Sequence, residues 1–197
     1  YEEIGMQIWE GCHVHVPFCS RPFAPQCNCA IMTLVQYNES KLPDSFAKLD
    51  GLAKLRIIFG SLEKLDDNFG FNHHRLVHLE IVNQKLKALP DSVFASKHLF
   101  RLELSNNQLS AIPSSIEHAI ELFYLGAEQN NLTEFPIVAT MPQMVHLFLG
   151  RNQIKTLPSN IDALLPIAQQ LVLAFNTIET LPQSLGKMSS LKVLLLF

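Results

Sequence analysis

At 197 residues with 48% apolar content, the chain is long enough to bury one sizeable core. Charged residues make up 17% and the formal net charge is −3, which excludes a global attraction to nucleic acid or to anionic lipid. The longest apolar run, residues 164–175, is interrupted by Pro166, Gln169 and Gln170, so no stretch reads as a membrane span.

Residues 1–28 stand apart in composition. They hold the only Trp, Trp9, together with Pro17, Pro22 and Pro25, and three of the four cysteines: Cys12, Cys19 and Cys27. Cys29 follows at once, so every cysteine of the chain falls within 18 residues. The prolines predict an irregular segment.

From residue 29 onward one unit recurs. Its clearest copy, residues 99–113, reads LFRLELSNNQLSAIP. The same frame starts at Leu52, Leu76, Leu99, Leu122, Met144, Ala168 and Leu191, at intervals of 24, 23, 23, 22, 24 and 23 residues, with a degenerate first copy at Cys29. Leucines at the first, fourth and sixth positions predict a short strand whose buried face no single copy could cover alone. The sixth-position column is Leu34, Ile57, Ile81, Leu104, Ala127, Leu149, Leu173 and Leu196.

The ninth position turns the chain out of the strand, and a buried Asn amide there can bond the backbone of neighbouring turns. That column reads Tyr37, Gly60, Gln84, Asn107, Asn130, Asn152 and Asn176: an intact asparagine ladder from Asn107 onward and a degraded one before it. Proline closes the unit at Pro43, Pro90, Pro113, Pro136, Pro158 and Pro182, with Asp66 the exception. There a fixed φ is useful and no N–H is needed. Two or three residues later an apolar side chain is expected to pack the convex side: Phe46, Phe69, Val93, Ile116, Val138, Ile161 and Leu185. Residues 91–98 and 114–118 are expected to form single helical turns. Residues 66–75 lack the proline and carry Asn72, His73, His74 and Arg75, which predicts an exposed polar loop rather than a metal site or a pH switch.

The pattern LxxLxLxxNxLxx(L/I)P resembles the leucine-rich repeat of the 23-residue class. The resemblance covers residues 29–197 and implies an α/β fold. Its form is a right-handed solenoid with short parallel strands on the concave face and short helical or 3-10 turns on the convex face. The expected organisation is a cysteine-rich N-terminal cap over residues 1–28, then a solenoid of one degenerate repeat, six full repeats and a truncated last one. Because residues 194–197 end inside a strand motif with no polar capping unit, a longer protein is expected.

The cysteine cluster resembles the N-terminal cap of extracellular leucine-rich-repeat proteins. That resemblance implies that Cys12, Cys19, Cys27 and Cys29 are disulfide-bonded, although the spacing C-x6-C-x7-C-x-C departs from the common form. Three pairings are open, and a C-x-C bridge between Cys27 and Cys29 is the geometrically poor one. A zinc site using His13 and His15, and free cytosolic thiols, are the competing explanations. Sequons at Asn38 (N-E-S) and Asn131 (N-L-T) are candidate glycosylation sites at strand exits. Against these, the LPxxIxxLxxL spacing resembles the repeats of intracellular Ras-pathway and cell-polarity scaffolds. An extracellular or cell-surface location is the expectation, with a cytoplasmic signalling scaffold as the alternative.

No catalytic constellation is present: there is no Gly-rich phosphate loop, no G-x-S-x-G elbow and no H-E-x-x-H. No metal or cofactor is expected. Function is then expected on the exposed face of the strands, where the third, fifth, seventh and eighth columns lie. Arg101 should neighbour Glu80 and Glu103. Toward the C-terminal half Tyr124, Phe148, Val172, Phe175 and Leu195 flank His146 and Arg151. The expected partner-binding residues are Arg101, Glu103, Tyr124, His146, Phe148, Arg151, Val172 and Phe175, since aromatics beside arginine are favoured at interface hot spots. They imply a non-catalytic recognition module for a protein or peptide ligand, with no nucleic acid.

Overall fold

A computed structural model of the chain describes residues 31–44, 46 and 49–197. The proposed cap, with Cys12, Cys19, Cys27 and Cys29, lies outside the described residues. Each copy of the repeat contributes one short strand: β1 (Ile31–Val35), β2 (Lys54–Ile58), β3 (His78–Val82), β4 (Arg101–Glu103), β5 (Tyr124–Gly126), β6 (His146–Phe148), β7 (Gln170–Val172) and β8 (Val193–Leu195). They form one parallel sheet in which spatial order follows chain order.

The register is that of the sequence columns. Arg101 pairs with Tyr124, Tyr124 with His146, and His146 with Gln170, while Glu80, Glu103, Gly126, Phe148 and Val172 pair in succession along the fifth column. The first, fourth and sixth positions face inward. Leu55, Ile57, Leu79, Ile81, Leu102, Leu104, Leu125 and Ala127 are fully buried in one continuous core.

Each strand ends in a sharp exit. The eighth residue is left-handed in seven copies: Gln36, Phe59, Asn83, Asn106, Gln129, Arg151 and Phe175 all have φ between 53° and 59°. Asn tolerates this region, whereas a bulky side chain is an outlier there. Phe59 is exposed and so has little packing to offset the strain. Phe59→Asn should therefore stabilise the fold by on the order of 1 kcal/mol, seen as a higher denaturation midpoint. Phe59→Ile should lower it.

The ninth-position amides then tie each exit to its neighbours. Asn130 Oδ1 accepts the Leu109 N–H at 3.0 Å, and its Nδ2 donates to the Leu104 carbonyl at 3.0 Å. That carbonyl also accepts Asn107 Nδ2 at 2.9 Å, so one buried oxygen joins the ladder residues of two repeats. Asn152 and Asn176 repeat the arrangement on the Ala127 and Leu149 carbonyls. Gln84 keeps half of the function: its Oε1 accepts the Leu62 N–H at 3.0 Å, but its Nε2 reaches only its own strand, at the Val82 carbonyl. At Gly60 the ladder side chain is missing because a Cβ there would run into the Tyr37 carbonyl.

On the convex side, proline carbonyls accept the N–H three residues on. Pro90 binds Val93, Pro113 binds Ile116 and Pro182 binds Leu185, each at 3.0–3.1 Å. These contacts open the 3-10 turns Asp91–Ala95, Ser114–His118 and Gln183–Lys187, as expected for 91–98 and 114–118. Two short helices, α1 (Phe69–Asn72) and α2 (Ile161–Leu164), occupy the equivalent place in their repeats.

Two convex expectations need correction. Val138 is 58% exposed and Ile137, directly after Pro136, is buried at 2%. This repeat is the 22-residue one, too short to close a helical turn, so the residue beside the proline faces the core instead. The expected polar loop at residues 66–75 holds for residues 66–68, His74 and Arg75, but residues 69–72 form α1 with Phe69 and Gly70 buried, and His73 is only 1% exposed. The residue three before each repeat start forms its own inward column, Leu49, His73, Ser96, Ala119, Met141, Leu165 and Met188. The carbonyl of each accepts the N–H that opens the next repeat. His73 is in register with that column.

Candidate functional site

The exposed face of β2 and β3 is closed by charge. Arg56 donates to Glu80 through Nε at 2.8 Å and Nη2 at 3.1 Å, and His78 Nε2 lies 3.6 Å from the same carboxylate. His78 and Arg56 together hold the Glu80 carboxyl at about 2. At 3.6 Å the imidazole is beyond hydrogen-bond reach, so the direct bonds are those of Arg56. Glu80, on the strand next to Arg101, is thus engaged by Arg56. Arg101 turns the other way. Its guanidinium lies 3.5 Å from the centroid of the Tyr124 ring and 3.6 Å from Glu103.

Glu103 is held in place from several directions. It accepts the Tyr124 hydroxyl at 2.7 Å and the Ser105 hydroxyl and N–H at 2.5 and 3.1 Å. Its carboxylate lies over Gly126, where a Cβ would collide with it. Burial, and then the hydrogen bond to Glu103, push the Tyr124 phenol up to about 12, so it is a neutral donor at physiological pH. Burial and the charge of Glu103 also raise the Glu128 carboxyl.

Beyond this polar group the face becomes aromatic. Tyr124 and Phe148 lie 5.3 Å apart, with His146 at 6.2 and 6.4 Å from them. His146 Nδ1 is 2.9 Å from Gln170 Oε1, an oxygen that can only accept, so that nitrogen carries the proton. An open recess of about 310 Å³ is lined by Phe100, Arg101, Phe123, Tyr124, His146, Phe148 and Gln170.

Four of the expected partner-binding residues, Arg101, Tyr124, His146 and Phe148, meet in this recess. Glu103 supports it from below. Arg151 and Phe175 form a separate pair at the strand exits, the guanidinium 4.4 Å from the ring centroid. Val172 is largely buried and offers little surface. Phe100 and Phe123 were not among the expected residues. They occupy the second position of consecutive repeats and stack at 4.8 Å with 7° between ring planes, Phe100 remaining 46% exposed. The pairs Leu99-Phe100 and Leu122-Phe123 were the available signal. Asn38 and Asn131 are both exposed just past a strand exit. No helix among the described residues is long and apolar enough to cross a membrane, and no cluster of three or more His, Cys, Asp or Glu side chains there could hold a metal.

Comparison with known proteins agrees with this architecture. The family described as leucine rich repeat matches residues 74–132. No curated protein matches the chain. Among solved structures, the plant peptide hormone receptor RGFR1 in complex with RGF2 superposes with a TM-score of 0.74 at 25% identity, over 85% of this chain and 28% of the receptor. A leucine-rich-repeat protein of Leptospira interrogans gives 0.62 at 25% identity, over 81% of this chain and 46% of its own. An internalin of Listeria monocytogenes gives 0.67 at 22% identity, covering 82% and 46%. The chain thus spans less than half the length of each of these three proteins. Repeat pattern, in-register parallel sheet and structural likeness agree: the described chain is a leucine-rich-repeat solenoid.

Proposed function

We propose that this solenoid is a non-catalytic recognition module that binds a protein or peptide segment across the exposed face of β4 to β7. The observation that carries the proposal is the recess, in which five aromatic or imidazole rings and one arginine converge beside the Arg56–Glu80 ion pair of β2 and β3. Rings and arginine are the side chains that dominate binding energy at interfaces. The RGFR1 structure, with its peptide RGF2, supports a polypeptide partner.

Random displayed peptides serve as the probe. Those selected on the full chain should lose at least about 10-fold in affinity on Tyr124→Ala or Phe148→Ala. They should keep it on Phe71→Ala, an exposed residue on the opposite side. Selected peptides indifferent to the first two substitutions would place recognition elsewhere.

For location we propose the outside of the cell or its surface, supported by the cysteine cluster at residues 12–29 and by the exposure of both sequon asparagines. Alkylation of the denatured, unreduced protein should add no mass. Four alkylations would favour the cytoplasmic scaffold instead.

A further inference from the structure

His73 sits where the chain could have used a leucine. Its column holds Leu49, Ala119, Met141, Leu165 and Met188, with Ser96 the other polar member. Ser96 is small, and its one hydroxyl proton is shared between the Leu76 and His74 carbonyls at 2.8 and 3.0 Å. His73 places a whole titratable ring there. Its ring is packed between Phe69, 4.7 Å away, and Phe46, 5.2 Å away, which belong to the convex segments of two successive repeats. Nδ1 is 2.6 Å from the Phe69 carbonyl and Nε2 is 3.3 Å from the Phe46 carbonyl.

Both partners are acceptors, and a neutral imidazole has one N–H to give. The shorter contact fixes that proton on Nδ1, which closes the C-terminal end of α1 and leaves the Nε2 lone pair pointing at the Phe46 oxygen. A second proton would satisfy both carbonyls, but it would place a cation in a site only 1% exposed. Among the described residues no carboxylate bonds it. Asp50 favours the charged ring and His74 opposes it, both at longer range, and Asp66 lines the 20 Å³ cavity beside it.

We propose that His73 is an acid-sensitive latch joining the first two described convex segments, closed by the neutral ring and released when the ring takes up a proton. Burial pushes the imidazole below its usual range, and the Phe69 and Phe46 carbonyls oppose this without reversing it. The sign follows. A group that is harder to protonate when folded contributes stability in full above its ordinary value near 6.5, and that contribution is lost as the pH falls below it. Opened states take up the proton that the closed state refuses. Release separates Phe46 from Phe69 while leaving the exposed face of the sheet untouched, so the latch is independent of the binding site proposed above.

The test uses the full chain. The His73 ring, followed by NMR, should titrate below 6.5. Between pH 7.5 and 5.5 the protection of the Leu76 amide, corrected for intrinsic exchange, should fall, by at most about tenfold however far the ring is displaced below 6.5. His73→Met supplies a side chain that the column already uses and should abolish the response, whereas His74→Asn, at an exposed neighbour, should keep it. A ring that titrates at or above 6.5, or a His73→Met chain that loosens in acid as the wild type does, would overturn the proposal. Should the methionine variant fail to fold, the wild-type titration decides alone.

Discussion

Leu104→Ala should lower the free energy of unfolding by about 2–5 kcal/mol, whereas Arg101→Ala should change it by well under about 1 kcal/mol. The two residues are three positions apart at the same strand and face opposite ways. Leu104 is fully buried between Ile81 and Ala127 of the adjoining copies. Its truncation removes three carbons from a core that can close only by moving neighbouring strands already fixed by the sheet. The low side of that range applies if Leu79 and Leu125 shift into the space. Arg101, by contrast, is about a third exposed and lies over Tyr124 in contact with water. Urea denaturation of both variants checks the pair, and the reverse order would mean that the inward and outward faces have been exchanged.

Asn130→Leu should cost about 2–4 kcal/mol even though leucine has the same branching and suits the apolar surroundings. The loss falls mainly on the Leu109 N–H, which has its acceptor in Asn130 Oδ1 and is buried. The Leu104 and Ala127 carbonyls keep a second donor each, from Asn107 and Asn152, so they suffer less. Asn130→Asp separates the two halves of the role. It retains the acceptor and loses the donor, and it introduces a buried charge, so it should be worse than leucine at neutral pH and improve on acidification. A leucine variant as stable as the wild type would show that the ladder contributes geometry rather than energy.

Much of this could be read from the chain because a solenoid converts sequence spacing directly into spatial neighbourhood. Arg101, Tyr124, His146 and Gln170 are 22–24 residues apart and adjacent in the sheet, as their shared column required. The departures came where spacing is not the controlling variable. Ile137 displaced Val138 because a one-residue deletion changed the convex path, and a column count carries no information about path. His73 is buried against expectation because its position, inward-facing in the neighbouring copies, outweighs its polar type. Phe100 and Phe123 escaped the column reading because the second residue precedes the regular strand, where alternation does not yet say which way a side chain points. Which of its two acidic neighbours Arg101 pairs with was not in the spacing either: Arg56, one strand before Glu80, holds that carboxylate with two direct bonds, and Arg101 pairs with Glu103.

The sheet order, in which every strand touches only the copies before and after it, has a consequence for how the molecule transmits a disturbance. Stability in such a stack is close to a sum of unit and nearest-neighbour terms. Damage in β3 and damage in β7 should therefore add, with no cross-talk, while damage in β4 and β5 should not. A polypeptide lying along β4 to β7 would break that rule. It would be the one element in contact with units that otherwise never meet, and its arrival would couple the opening of β4 directly to that of β6 and β7.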